Sequence, residues 1–202
     1  IVKAMEGLSD GDLLLIDQVI ENDNRVNHLE IELDEACNQI IAKRQPTAVD
    51  LRMISTVQKT ITDLERIGDE AKKIAKTAKQ LHTTGSNFTP QIRLAHIATA
   101  VVDMLRTSLD AYARLDTISA AQVVRQDKEV DAEFKGIMRQ LITYMMEDPR
   151  TISQSIELMF VAKSVERIGD HAKNIAEYVV YMVKGRDVRH TSLEEIEREA
   201  TR

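Results

Sequence analysis

Carboxylates spaced four residues apart recur in this sequence in a pattern that could hold a divalent cation. Glu65 and Asp69 form one such pair, Glu166 and Asp170 a second, and Asp127 and Asp131 a third. On a helix this spacing puts both acids on one face, about 6 Å apart. Asp23 and Asn27 repeat the spacing with one amide. Two like charges at that distance repel by roughly 0.7 kcal/mol in water and about 3 kcal/mol at an effective dielectric of 20. Gathering several pairs therefore needs an offset: nearby Lys and Arg, a raised carboxyl pKa, or a bound cation. An all-oxygen set without nearby Cys or paired His suits Mg²⁺, Mn²⁺ or iron better than structural zinc. The plainer reading is a solvated charged face, with Asp69 paired to Lys72 or Lys73 and Asp170 to Lys173 at helical spacing.

Repetition strengthens the cation reading. Glu65-Arg66-Ile67-Gly68-Asp69 returns 101 positions later (65 to 166) as Glu166-Arg167-Ile168-Gly169-Asp170. Asp23, Val26 and Leu33 correspond to Asp127, Val130 and Ile137 at an offset of 104 (23 to 127). The chain is thus a duplication of a unit of about a hundred residues. If the helices of each half pack through their apolar seams, the first half gathers Asp23, Asn27, Glu65 and Asp69. The second gathers Asp127, Asp131, Glu166, Asp170 and Asn174. Lys73 stands where the second half has Asn174. The second site is therefore expected to bind metal more tightly, the first being empty or filled by the Lys73 ammonium.

Helices must position these groups. Leu158, Val161, Val165, Ile168, Ala172, Ile175, Val179 and Met182 keep a 3-4 rhythm, as do Val57, Leu64, Ile67, Ala71, Ile74, Ala78 and Leu81 around the polar Thr60. That is a heptad seam, which implies shallow antiparallel packing. Start signals sit at Ser9 and Asp12, at Thr47 with Asp50 after Pro46, at Thr89-Pro90, at Thr151 with Gln154 after Pro149, and at Ser192 with Glu195. Gly85 and small polar residues mark a linker over 83–87. The expected fold is all-α: two tandem three-helix bundles over 1–84 and 88–185, the first helix truncated at Ile1, and a polar tail over 186–202 with room for one short helix. Gly68 and Gly169 each cost about 1 kcal/mol inside a helix; their matched positions suggest a close helix approach or room for an ion beside the backbone.

Composition narrows the function. A net charge of −6 argues against duplex nucleic acid as a partner. The longest apolar runs, Leu13–Ile16 and Tyr178–Val183, are too short to span a membrane. The single Cys37, in an apolar-periodic stretch, reads as a reduced core thiol, hence a cytoplasmic location. No Glu-x-x-His precedes any of the five histidines, which disfavours a di-iron oxidase core. There is no phosphate-binding glycine loop. His171 beside Asp170 is expected to be exposed or to reach the metal site, and Arg66 and Arg167 to face solvent or a partner.

The segments Lys43–Arg52, Leu64–Asp69 and Val165–Glu177, with the duplicated Glu-Arg-Ile-Gly-Asp string, resemble the PhoU family over essentially the whole chain, and its proteobacterial members most. The resemblance implies a cytoplasmic, non-enzymatic negative regulator of the phosphate regulon, recruited peripherally to the inner membrane through its partners. Those partners would be the ATPase subunit (PstB) of the phosphate ABC transporter and the sensor histidine kinase PhoR. It also implies iron, zinc, magnesium or manganese at the Glu/Asp-x-x-x-Asp motifs, and a homodimer. The alternative kept beside it is a metal-dependent phosphoprotein phosphatase.

Overall fold

The computed structural model describes residues 1–83 and 92–201. Its helices are α1 (Val2–Asp10), α2 (Leu13–Arg44), α3 (Ala48–Thr83), α4 (Leu94–Arg114), α5 (Thr117–Glu147), α6 (Ile152–Lys184) and α7 (Leu193–Thr201), with a 3-10 turn at Pro149–Thr151 before α6. The described residues contain no strand. Helices α1 to α3 form one three-helix bundle and α4 to α6 the second, as the duplication predicts. The expected linker and the Thr89-Pro90 start signal fall mostly or wholly outside the described residues.

Local chemistry sets most helix ends. Asp12 caps α2 by accepting from the backbone N–H groups of Leu14 and Leu15, and Asp116 does the same for α5 through Ile118 and Ser119. Gly185 ends α6 in the left-handed region at φ 74°. Ser9 lies inside α1 rather than opening α2. The start signal at Thr151 also works differently from the expectation. Its hydroxyl turns back to the Asp148 carbonyl, while Asp148 takes the Arg150 N–H and so caps the 3-10 turn. Ser192 does accept from Glu195 N–H at the start of α7.

Helix α6 is the structural centre, packing against α3, α4 and α5. Val161, Val165, Ile168, Ala172, Ile175 and Val179 are fully or almost fully buried along it. The two halves join where α3 and α6 run antiparallel. At one end the Arg52 guanidinium donates to the Met182 carbonyl; at the other the Gln80 amide donates to Glu157. Helix α7 folds back onto α5, burying Ile196 and Ala200, and Thr117 donates to the Ala200 carbonyl at 2.7 Å. The segment after Gly185 is therefore not only a polar tail, since it completes the second core.

Corresponding positions of the two halves differ in exposure. Leu33 is 44% exposed, whereas its counterpart Ile137 is 2% exposed. Cys37 is buried, as expected of a core thiol.

Candidate functional site: two acidic seams and a polar interface

In the second half α5 carries Asp127, only 3% exposed, next to the seam residue Val130. On α6 Gly169 lies over that valine; a Cβ there would sit 3.6 Å from Val130 Cγ1 and 3.4 Å from Val101 Cγ2. The first half repeats the arrangement at Gly68, where a Cβ would come within 3.4 Å of Val26 Cγ1 and 3.3 Å of Asp23 Oδ1. Both glycines thus allow a close helix approach. That approach brings the acids of adjacent helices into one neighbourhood. Burial pushes the Asp170 carboxyl up to about 6, and the charges of Glu166, Asp127 and Asp131 add to it against the pull of Lys163. Burial likewise raises Glu65, helped by Asp69, Glu30 and Asp23 and opposed by Arg66.

A lysine from the neighbouring helix answers this charge in each half. Lys72 Nζ lies 2.7 Å from Asp23 Oδ2, and Lys173 Nζ lies 2.7 Å from Asp127 Oδ2. Lys72 and Lys173 are 101 positions apart, so the ion pair belongs to the duplicated unit. The expected within-helix pairs of Lys72 or Lys73 with Asp69, and of Lys173 with Asp170, are replaced by these cross-helix ones. The long side chains reach over the seam to the more deeply buried acid. Lys73 does not fill the first site either, because its ammonium bonds Glu70 at 2.8 Å.

In the first half, Asn27 donates to Asp23 Oδ2 at 3.5 Å. Asp23 Oδ1 and Asn27 Oδ1 are buried without a hydrogen-bond partner among the described residues. Two acceptors orphaned side by side are what a small cation or a water would satisfy. Among the described residues, however, no group of three or more His, Cys, Asp or Glu side chains is arranged to hold a metal ion as it stands.

Asn174 belongs to a different cluster from the one expected. Its amide donates to Asp63 Oδ1 at 3.1 Å, across the α3–α6 interface. His171 also turns to this interface, with Nδ1 2.6 Å from Asp63 Oδ1, and is neither free on the surface nor at the acid pairs. Tyr178 completes the group: burial raises its hydroxyl pKa, followed by the charge and hydrogen bond of Asp63. The matching place holds Glu70, which pairs with Arg167 at 3.1 Å and with Lys73. Burial works to raise the Glu70 carboxyl, but hydrogen bonds from Lys73 and Ser164 hold it below the ordinary range. Asp63 and Ser164 are 101 positions apart, and so are Glu70 and His171. The contact from Asp63 to His171 is thus the repeat image of the contact from Ser164 to Glu70.

The repeat has a direct counterpart among known proteins. The model of the PhoU domain matches this chain twice, over residues 1–78 and 94–179. The chain belongs to the PhoU family. It is 47% identical over 196 residues to the phosphate-specific transport system accessory protein PhoU homolog of Pseudomonas aeruginosa, covering 97% of this chain and 81% of that one. It is 46% identical to the phosphate-specific transport system accessory protein PhoU of Escherichia coli, covering 96% and 80%. The crystal structure of PhoU from Pseudomonas aeruginosa superposes with a TM-score of 0.88 at 47% identity, covering 91% of this chain and 88% of that one. That of the phosphate transport system regulatory protein PhoU from Streptococcus pneumoniae gives 0.85 at 25% identity, covering 93% and 87%. The PhoU matches span α1–α3 and α4–α6, and α7 lies beyond them.

Proposed function

We propose that this protein regulates phosphate uptake as an adaptor with no chemistry of its own. The carrying observation is similarity over 97% of the chain to an accessory protein of phosphate-specific transport. In the finer reading it is a negative regulator of the phosphate regulon that joins the transporter ATPase PstB to the sensor kinase PhoR. The shape of the molecule supports an adaptor. The α2–α3 turn leads into the exposed Val49, Leu51 and Met53; the α5–α6 turn is flanked by the exposed Met146, Ile152 and Ile156. Because α3 and α6 run antiparallel, these apolar turns lie at opposite ends, where two partners can be held together. No described helix is long and apolar enough to cross a membrane, so membrane recruitment would come through partners.

The acidic seams are proposed as sites for a divalent cation. The residues fit one in donor chemistry: oxygen ligands only, with orphaned acceptors at Asp23 and Asn27. Magnesium and manganese suit them best, with iron or zinc as further candidates. The cation would displace Lys173 from Asp127 or Lys72 from Asp23. Lys73 no longer ranks the two sites; charge does, with four carboxylates in the second (Asp127, Asp131, Glu166 and Asp170) against three in the first (Asp23, Glu65 and Asp69).

Binding of the purified protein to the kinase's cytoplasmic region and to the ATPase subunit tests the adaptor. Capture of both, without loss of phosphate from phosphorylated kinase, is expected. Capture of neither would sink the reading. Turnover of the phosphokinase, abolished by Glu166→Gln with Asp170→Asn, would replace it with the hydrolase.

A further inference from the structure

We propose that the cleft where α7 closes over α5 and α6 binds inorganic phosphate. It has a volume of about 290 Å³. Lys128, Lys173 and Arg189 supply cationic donors to its walls, and Asn174 and Thr191 supply neutral polar groups, over an apolar floor of Val124 and Ile196. Lys173 and Arg189 each have a carboxylate partner, Asp127 and Asp187. An ammonium has three N–H donors, so its pairing with Asp127 leaves Lys173 with donors to give. Lys128 is exposed at the mouth.

Glu177 decides the chemistry of the occupant. It is the one acid lining the cleft and is only 7% exposed, and the charges of Lys173 and Arg189 act on it. Three cations around it disfavour a metal ion. An oxyanion carrying its own proton satisfies every group at once: its P–OH donates to Glu177 while the lysines, Arg189 and Asn174 donate to its other oxygens. Inorganic phosphate keeps at least one such proton at neutral pH, and sulfate has none. Burial pushes Glu177 up to about 7, so one proton is available between carboxyl and phosphate across the neutral range.

The site shares Lys173 with the duplicated ion pair, but its acid is not repeated. Lys76 stands at the position of the first half that corresponds to Glu177 (76 to 177), and α7 packs on the second half. The choice of phosphate over other protonated oxyanions rests on the regulatory reading above, and the binding test separates the two. Phosphate binding without capture of kinase and ATPase would sink the adaptor and leave this site standing; capture of both without phosphate binding would do the reverse.

Calorimetric titration of the full chain with sodium phosphate at pH 7.5, against sodium sulfate at equal ionic strength, is the test. Phosphate is expected to bind at least about tenfold more tightly than sulfate. Glu177→Gln replaces the carboxylate with a neutral amide that can donate to either anion, so it should narrow or erase the preference for phosphate over sulfate. Lys128→Glu, an exposed change at the mouth, should weaken both anions by about tenfold or more and keeps the test open should the buried variant fail to fold. No heat with phosphate, equal affinity for sulfate in the unaltered protein, or unchanged selectivity in folded Glu177→Gln would each overturn the proposal. So would binding to phosphatidic acid vesicles without binding to free phosphate.

Discussion

Asp63 on α3 and His171 on α6 meet with Oδ1 2.6 Å from Nδ1, and this contact ties one half of the duplication to the other. Both side chains are mostly buried, at 9% and 17% exposure. Asn174 shares the same carboxylate oxygen. Asp63→Ala should therefore leave the His171 and Asn174 groups without their acceptor and cost about 2–3 kcal/mol. Urea unfolding checks this, and a double-mutant cycle with His171→Ala should show coupling. Strict additivity would place the strength of the seam in apolar packing alone.

Lys173 neutralises the Asp127 carboxylate, on a side chain only 5% exposed. Lys173→Met should destabilise the protein by about 2–3 kcal/mol at neutral pH. The acids it leaves behind should bind manganese more tightly than in the unaltered protein, since no ammonium has to be displaced. Thermal melts with and without manganese read both effects. A melting temperature insensitive to manganese in the variant would count against a cation site at this seam.

Asp170 and Glu177 both have carboxyls raised on folding, to about 6 and about 7. The folded state then binds more protons than the unfolded chain between about pH 4 and 7, so stability falls as pH rises through that window. Asp170→Asn should stabilise the metal-free protein by about 1–2 kcal/mol at pH 7, allowing for solvent screening, and do little at pH 4. Stabilisation by a divalent cation should run the other way, weakening below pH 6 as the carboxyl takes its proton. Denaturation curves across pH distinguish the two slopes.

Glycine replacements should separate the halves. In Gly136→Ala the new methyl meets nothing within 4 Å among the described residues, so helix propensity alone should stabilise by about 1 kcal/mol. Gly169→Ala makes contacts at ordinary van der Waals distance and should be close to neutral. Gly68→Ala presses on Asp23 Oδ1 at 3.3 Å and should fall about 1 kcal/mol below Gly169→Ala. Melting temperatures of the three variants check the order.

The sequence by itself determined the helices, their duplication and the matched placing of Gly68 with Gly169 and Asp23 with Asp127. Periodicity and spacing are local or repeat along the chain, so they are legible without a fold. Tertiary structure decided which partner each polar group takes. A single heptad seam per helix assigns one buried face, but α3 buries Thr56, Thr60, Asp63 and Glu70 as well as the Ile67 to Ala78 stripe. Its second face looks at α6, and nothing in the spacing of α3 states that. The same step of 101 that relates the apolar positions also relates Asp63 to Ser164 and Glu70 to His171, a signal that apolar patterning passes over. Lys72, Lys73, Lys173 and Asn174 are long or branched enough to reach several partners. Only the packing angle between neighbouring helices selects among them, and that angle depends on contacts from both halves at once.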